Sequence, residues 1–160
     1  MKHYGLEDLK TLDVVHMMFY YWLGRFGISE RIRIVTDKRL KHHMSTEFFV
    51  DGTIELRINL QNIKKDWDLA VLVSGILHEI GHILSGLPYV TDEDIIYDEF
   101  RAETFALSIL AYFYPKFYKR AIKYYRYYLY APEVEFEKKY PLHWKAFTQI
   151  REYQKKRKDK

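Results

Sequence analysis

Cysteine is absent from the 160-residue chain, which removes disulfide frameworks, thiolate metal sites and cysteine nucleophiles together. Any bound metal must therefore be held by nitrogen and oxygen. No apolar run approaches the roughly 18 uncharged residues of a membrane span, so none is expected. The first residues, Met1-Lys2-His3-Tyr4, lack the basic start, apolar centre and small-residue cleavage site of a secretory leader. The expected setting is soluble and cytoplasmic. Repeats and low-complexity linkers are missing too, so residues 1–160 read as one domain, and 48% hydrophobic residues are enough for a core. Neither charge dominates: 26 Lys+Arg against 22 Asp+Glu leave a formal +4, which permits an acidic partner without requiring one. Part of that excess is a basic tail, Lys155, Lys156, Arg157, Lys158 and Lys160, read as a solvated end or a nucleic-acid arm.

What is present is organised around His78-Glu79-Ile80-Gly81-His82, an HExxH motif inside the longest apolar stretch. On an α-helix, residues four apart lie about 40° apart around the axis, so His78 and His82 share a face and can grip one ion. Glu79 lies about 60° from His82, where it can reach a metal-activated water without being a ligand. Leu69, Leu72, Val73, Ile76, Leu77, Ile80 and Ile83 leave this helix almost no polar face, so it should run through the core from an N-cap at Asp66 to Ser85, stopped by Gly86 and Pro88. Three polar side chains buried there cost several kcal/mol unless paired, and a cation answers all three. The alternative is two core histidines and a glutamate satisfied by hydrogen bonds.

Before this helix, Leu6 to Leu23 has a helical period, and Arg31 to Thr36 alternates as a strand with one buried face. Lys38 to Ser45 reads as loop. Phe48-Phe49-Val50 and Thr53 to Ile58 flank Asp51-Gly52, which signals a hairpin. In the second strand Ile54, Leu56 and Ile58 face one way and Thr53, Glu55 and Arg57 the other. That pattern suggests a strand at or near an edge, with Ile54, Glu55 and Leu56 receiving an extended peptide as an added strand. Downstream, a helix capped by Thr91 or Asp92 should end before Pro115. A further helix, from about Pro115 to Tyr130, carries Lys116, Lys119, Arg120, Lys123 and Arg126 on one side, either a solvated cationic face or a nucleic-acid surface. A last helix follows Pro141.

A catalytic zinc usually takes three protein ligands and keeps one position open. Ser85 and Pro88 stand where a metzincin needs glycine and histidine, and His143 is far away in a segment with no other polar cluster. Glu99 is a better third ligand, because Ala102 and Ala106 on its side of the helix allow close approach to the motif helix. Glu103, one turn on, can orient a ligating histidine through its other nitrogen. Against this, Glu99, Arg101 and Glu103 also fit an exposed charged strip.

His78-Glu79-Ile80-Gly81-His82 followed by Glu99-x-x-Ala102-x-x-Phe105-Ala106-x-x-Ile109-Leu110 resembles the ImmA/IrrE family of HExxH metallopeptidases. Ile54 to Asn59 is similar to the strand before that family's active helix. The resemblance spans residues 10 to 114 and implies a gluzincin-type site with His78, His82 and Glu99 on Zn2+ and Glu79 as general base. It also implies an α+β, zincin-like fold: an N-terminal helix, a small three-stranded, mostly antiparallel sheet, a buried active-site helix and C-terminal helices. Glu103 stands where the family commonly has Asn, and residues 115–160 form a helical extension without a counterpart. The expected function is zinc-dependent hydrolysis of peptide bonds in a protein or peptide substrate, as the family implies in a specific regulatory protein. The alternative is a catalytically silent zincin-like regulator that binds protein or nucleic acid.

Overall fold

A computed structural model describes residues 6–28, 31–65, 68–86 and 89–121, with the single positions Lys145, Glu152 and Lys156. It is α+β. The order is α1 (Leu6–Arg25), β1 (Ile32–Thr36), β2 (Met44–Phe48), β3 (Ile54–Ile58), α2 (Leu60–Lys65), α3 (Leu69–Ser85) and α4 (Asp92–Phe113). A further helical segment is described over 115–121. No helix among the described residues is long and apolar enough to cross a membrane. The basic helix beyond Ala121, with Lys123 and Arg126, and the helix after Pro141 lie outside the described residues.

The three-stranded sheet has the order β1-β3-β2. β1 runs parallel to β3, with Ile34 opposite Leu56, and β2 runs antiparallel to it, with Thr46 opposite Leu56. The sheet is thus mixed rather than mostly antiparallel. β3 is its centre and not an edge, which corrects the assignment of Ile54, Glu55 and Leu56 to an exposed peptide-binding edge. The polar alternation of β3 has another cause: Glu55 is only 5% exposed, and its carboxylate accepts from Arg57 Nε at 2.8 Å and Arg33 Nε at 2.6 Å. Opposite charges across the strands neutralise one another there. Arg57 extends the network to Glu47 at 3.0 Å.

β2 also begins earlier than expected. Met44 and Ser45 belong to the strand and not to the preceding loop. Residues 49–53 form the turn, with Gly52 at φ 83° and Phe49 N–H donating to Thr53 O at 2.9 Å. The short α2 has a local origin that the pattern did not reveal: Asn59 Oδ1 accepts from the backbone N–H of Gln61 and Asn62. Its amide group holds the loop before β2 through Lys38 O and Leu40 O.

The core lies between one face of the sheet and the helices. Leu56 and Ile58 from β3, Val15 and Phe19 from α1, and Ile76, Leu77 and Ile80 from α3 are fully buried. Each such aliphatic side chain contributes about 1.5–3 kcal/mol through removal from water. α3 therefore runs through the core as its composition demands. Its N-cap is Asp68 rather than Asp66, accepting from Ala70 N–H at 2.8 Å. Gly86, left-handed at φ 55°, ends it. α4 starts in a capping box, Thr91 Oγ1 accepting from Asp94 N–H while Asp94 Oδ2 accepts from Thr91 N–H.

Candidate metal centre

The approach of α3 to α4 positions the site. Gly81 faces Ala102, and a Cβ at Gly81 would lie 2.7 Å from Ala102 Cα. Glycine against alanine thus lets the two helix backbones nearly touch. Glu99 and Glu103, either side of Ala102 along α4, are carried to His78 and His82 on α3.

Both histidines are oriented through Nδ1. His78 Nδ1 lies 2.7 Å from Glu103 Oε2, and His82 Nδ1 lies 2.6 Å from Asp98 Oδ2. A carboxylate accepts, so each Nδ1 donates its hydrogen and each Nε2 is left facing inward. The two Nε2 atoms face one another at 3.0 Å. Glu99 closes the triangle, Oε2 at 3.1 Å from His78 Nε2 and Oε1 at 3.5 Å from His82 Nε2. These three residues offer ligand atoms all within 4.8 Å of one another, an arrangement that could hold a metal ion. Bonds of about 2.0–2.1 Å in a tetrahedron set ligand atoms about 3.3 Å apart, close to the spacing here.

In the metal-free site the electrostatics favour a protonated His78, whose Nε2 must give up its hydrogen before it can ligate a metal. Burial alone would depress the His78 pKa, yet the hydrogen bonds and charges of Glu103 and Glu99 outweigh it and hold the ring well above the usual histidine range. Four carboxylates, Glu79, Asp98, Glu99 and Glu103, surround two imidazoles, and all four are buried. Glu103 Oε1 has no hydrogen-bond partner among the described residues. A cation held there would offset this buried negative charge.

Glu79 follows His78 on α3, and Thr46 Oγ1 donates to its Oε2 at 2.7 Å. Asp98 is 1% exposed and accepts from His82, from Ser85 Oγ and from the Tyr89 hydroxyl. Burial pushes the Asp98 pKa up, but these three donors outweigh it and leave it below the ordinary value. Tyr89 is shifted upward, by burial first and then by its bond to Asp98, so it remains a neutral phenol that donates.

His78, His82, Glu99 and Glu103 lie together, Glu79 is bonded to Thr46 from the same helix, and Ile54, Glu55 and Leu56 stay in the central strand. Asp98 and Thr46 were missed. Asp98 is hidden in a run of acids that also includes Asp92, Glu93 and Asp94, where a helix start alone accounts for carboxylates. Thr46 carries no local signal. Of the cations considered for nucleic acid, Lys116 and Lys119 are exposed and Arg120 is paired with Asp68, the N-cap of α3. Comparison with family models, with curated proteins and with solved structures finds no match to this chain.

Proposed function

We propose that the chain is a zinc metallopeptidase with a zincin-like, gluzincin-type centre, in which His78, His82 and Glu99 hold Zn2+. The observation that carries this reading is the convergence of three candidate ligand atoms, two Nε2 nitrogens and a carboxylate oxygen, with each imidazole oriented through Nδ1 by Glu103 or Asp98. Cysteine-free N/N/O ligation is a catalytic zinc set that leaves a position open. The likeness of its two motifs to ImmA/IrrE metallopeptidases points the same way.

A zinc ion held by His78, His82 and Glu99 would supply Lewis-acid chemistry, activating water near neutral pH and polarising a carbonyl. Glu103 and Asp98 keep the imidazoles in one tautomer and one orientation. Glu79 takes the proton of the attacking water and delivers it to the leaving amine. The apolar face of α3 around it keeps bulk water away.

Peptide alignment falls to β2, the outer strand next to the base. His43 O accepts from Asn59 N–H and Phe49 N–H donates to Thr53 O, both at 2.9 Å. Alternation in an antiparallel ladder then turns the backbone N–H and C=O of Met44, Thr46 and Phe48 away from β3. Among the described residues no strand pairs with that side. An extended segment of a regulatory protein adding there would lie alongside Glu79.

The test is zinc stoichiometry together with the Glu79→Gln variant. The expected result is about one zinc per chain in both proteins and a loss of peptide cleavage of at least about 100-fold in the variant. Absence of zinc from both, or full zinc in His78→Ala, refutes the ligand assignment. Zinc without cleavage in the wild type leaves a protein-binding scaffold instead.

A further inference from the structure

We propose that Thr46 is a positioning residue for Glu79, tying the strand that receives the peptide to the base that acts on it; this rests on the peptidase reading. Three observations carry it. Thr46 Oγ1 donates to Glu79 Oε2 at 2.7 Å across 33 residues of sequence. Glu79 is only 7% exposed, so its carboxylate needs a hydrogen-bond partner, and Thr46 supplies one. The backbone of the same residue faces the outer edge of β2, where a peptide would add.

The contact is set by packing on both sides. Met44 is buried with its terminal methyl over Gly75, where a Cβ would come within 2.8 Å of it. Two residues along a strand advance about 6.8 Å and four along a helix about 6.0 Å, so Met44 on Gly75 brings Thr46 level with Glu79. β2 and α3 therefore run alongside one another in step. With Oε2 held by the hydroxyl, Oε1 is the oxygen that takes the proton. A peptide strand bonding to the N–H and C=O of Thr46 fixes the backbone from which the hydroxyl projects. Substrate addition and base orientation share one residue.

Thr46→Val keeps the β-branched shape and removes the donor, while Thr46→Ser keeps the donor. Both are compared with wild type as zinc-loaded full chains, using a fluorogenic peptide selected from a random-sequence library. Thr46→Val is expected to lower kcat about 10- to 100-fold, the scale of a misplaced group, with KM and zinc stoichiometry unchanged. Thr46→Ser is expected to recover most of kcat. A bond that merely stabilises the fold would move the melting temperature without separating kcat from KM. A melting cycle with Glu79→Ala needs no turnover: Thr46→Val should lower Tm in the wild-type background and leave the Glu79→Ala protein within about 1 °C. Unchanged kcat in Thr46→Val, or equal Tm losses in both backgrounds, overturns the proposal. Cleavage by wild type with no coupling in the cycle overturns it alone. Coupling with no cleavage by wild type overturns its catalytic half together with the peptidase reading.

Discussion

Gly81→Ala sets two effects of opposite sign against each other at the point where α3 meets α4. Alanine is the better helix former by about 1 kcal/mol, so propensity alone makes the variant more stable. The contact says otherwise. The new Cβ would lie 2.7 Å from Ala102 Cα and 3.1 Å from both its Cβ and its carbonyl oxygen. None of these atoms can rotate aside, because all belong to the α4 backbone or its first side-chain carbon. Restoring an ordinary carbon–carbon separation of about 3.5–4.0 Å requires α4 to retreat by about 1 Å. Overpacking of that kind costs about 1–3 kcal/mol, which offsets the propensity gain of about 1 kcal/mol and leaves a net loss of up to about 2 kcal/mol. At about 2–4 °C per kcal/mol for a chain of this size, Tm of the chelator-treated protein should fall by up to about 8 °C. Glu99 and Glu103 retreat with the helix, so zinc affinity should fall at least about tenfold, measured by competition with a chromophoric chelator. A variant that melts at or above wild type and binds zinc equally well refutes the close helix contact and its role in placing the carboxylates.

Asp98→Asn and Glu103→Gln should each lower zinc affinity about 10- to 100-fold in the same competition assay while far-UV dichroism stays unchanged; equal affinities would show that the histidines do not depend on these partners. Glu55 gives a pH prediction away from the metal. The hydrogen bond from Arg57, with that from Arg33, holds its carboxyl below the ordinary glutamate value of 4.5 against the opposing effect of burial. The folded pKa is the lower one, so the contribution is complete above the unfolded value and is lost as pH falls through the folded one. Glu55→Gln should therefore flatten the acid side of the stability curve in denaturant titrations and leave zinc stoichiometry untouched. Asp68→Ala removes the N-cap of α3 and the partner of Arg120. A loss of about 1 kcal/mol in urea unfolding is expected, and a gain would contradict the cap.

The parts of the site that were legible in the sequence are those set by helical geometry within one segment. His78, Glu79 and His82 share a turn, and Glu99, Ala102 and Glu103 share another, so their faces follow from spacing alone. The first helix and the strands were separately legible from the change of period after Leu23. What could not be read depends on neighbours across space. The alternation of β3 states that one face is polar, but whether that face meets water or Arg33 is decided by a parallel partner 22 residues away. The place of Thr46 follows from how β2 lies against α3. Asp98 and Asp94 look alike as acids in the first turns of α4, yet one is buried under three donors and the other accepts from Thr91 and Val90 in the helix cap.

The helical hairpin of α3 and α4 separates two events in the life of the chain. Every side chain of the candidate ligand set and its supports lies between His78 and Glu103, with links spanning 16 and 25 residues. Closing so short a segment costs little chain entropy, so the ion's nest can form with the hairpin itself, before distant strands are in place. The bond from Thr46 to Glu79 spans 33 residues and has to wait for the sheet. In a chain of this design the candidate ligand set can assemble while Glu79 is still unaimed, and the Thr46 contact arrives last, with the completed fold.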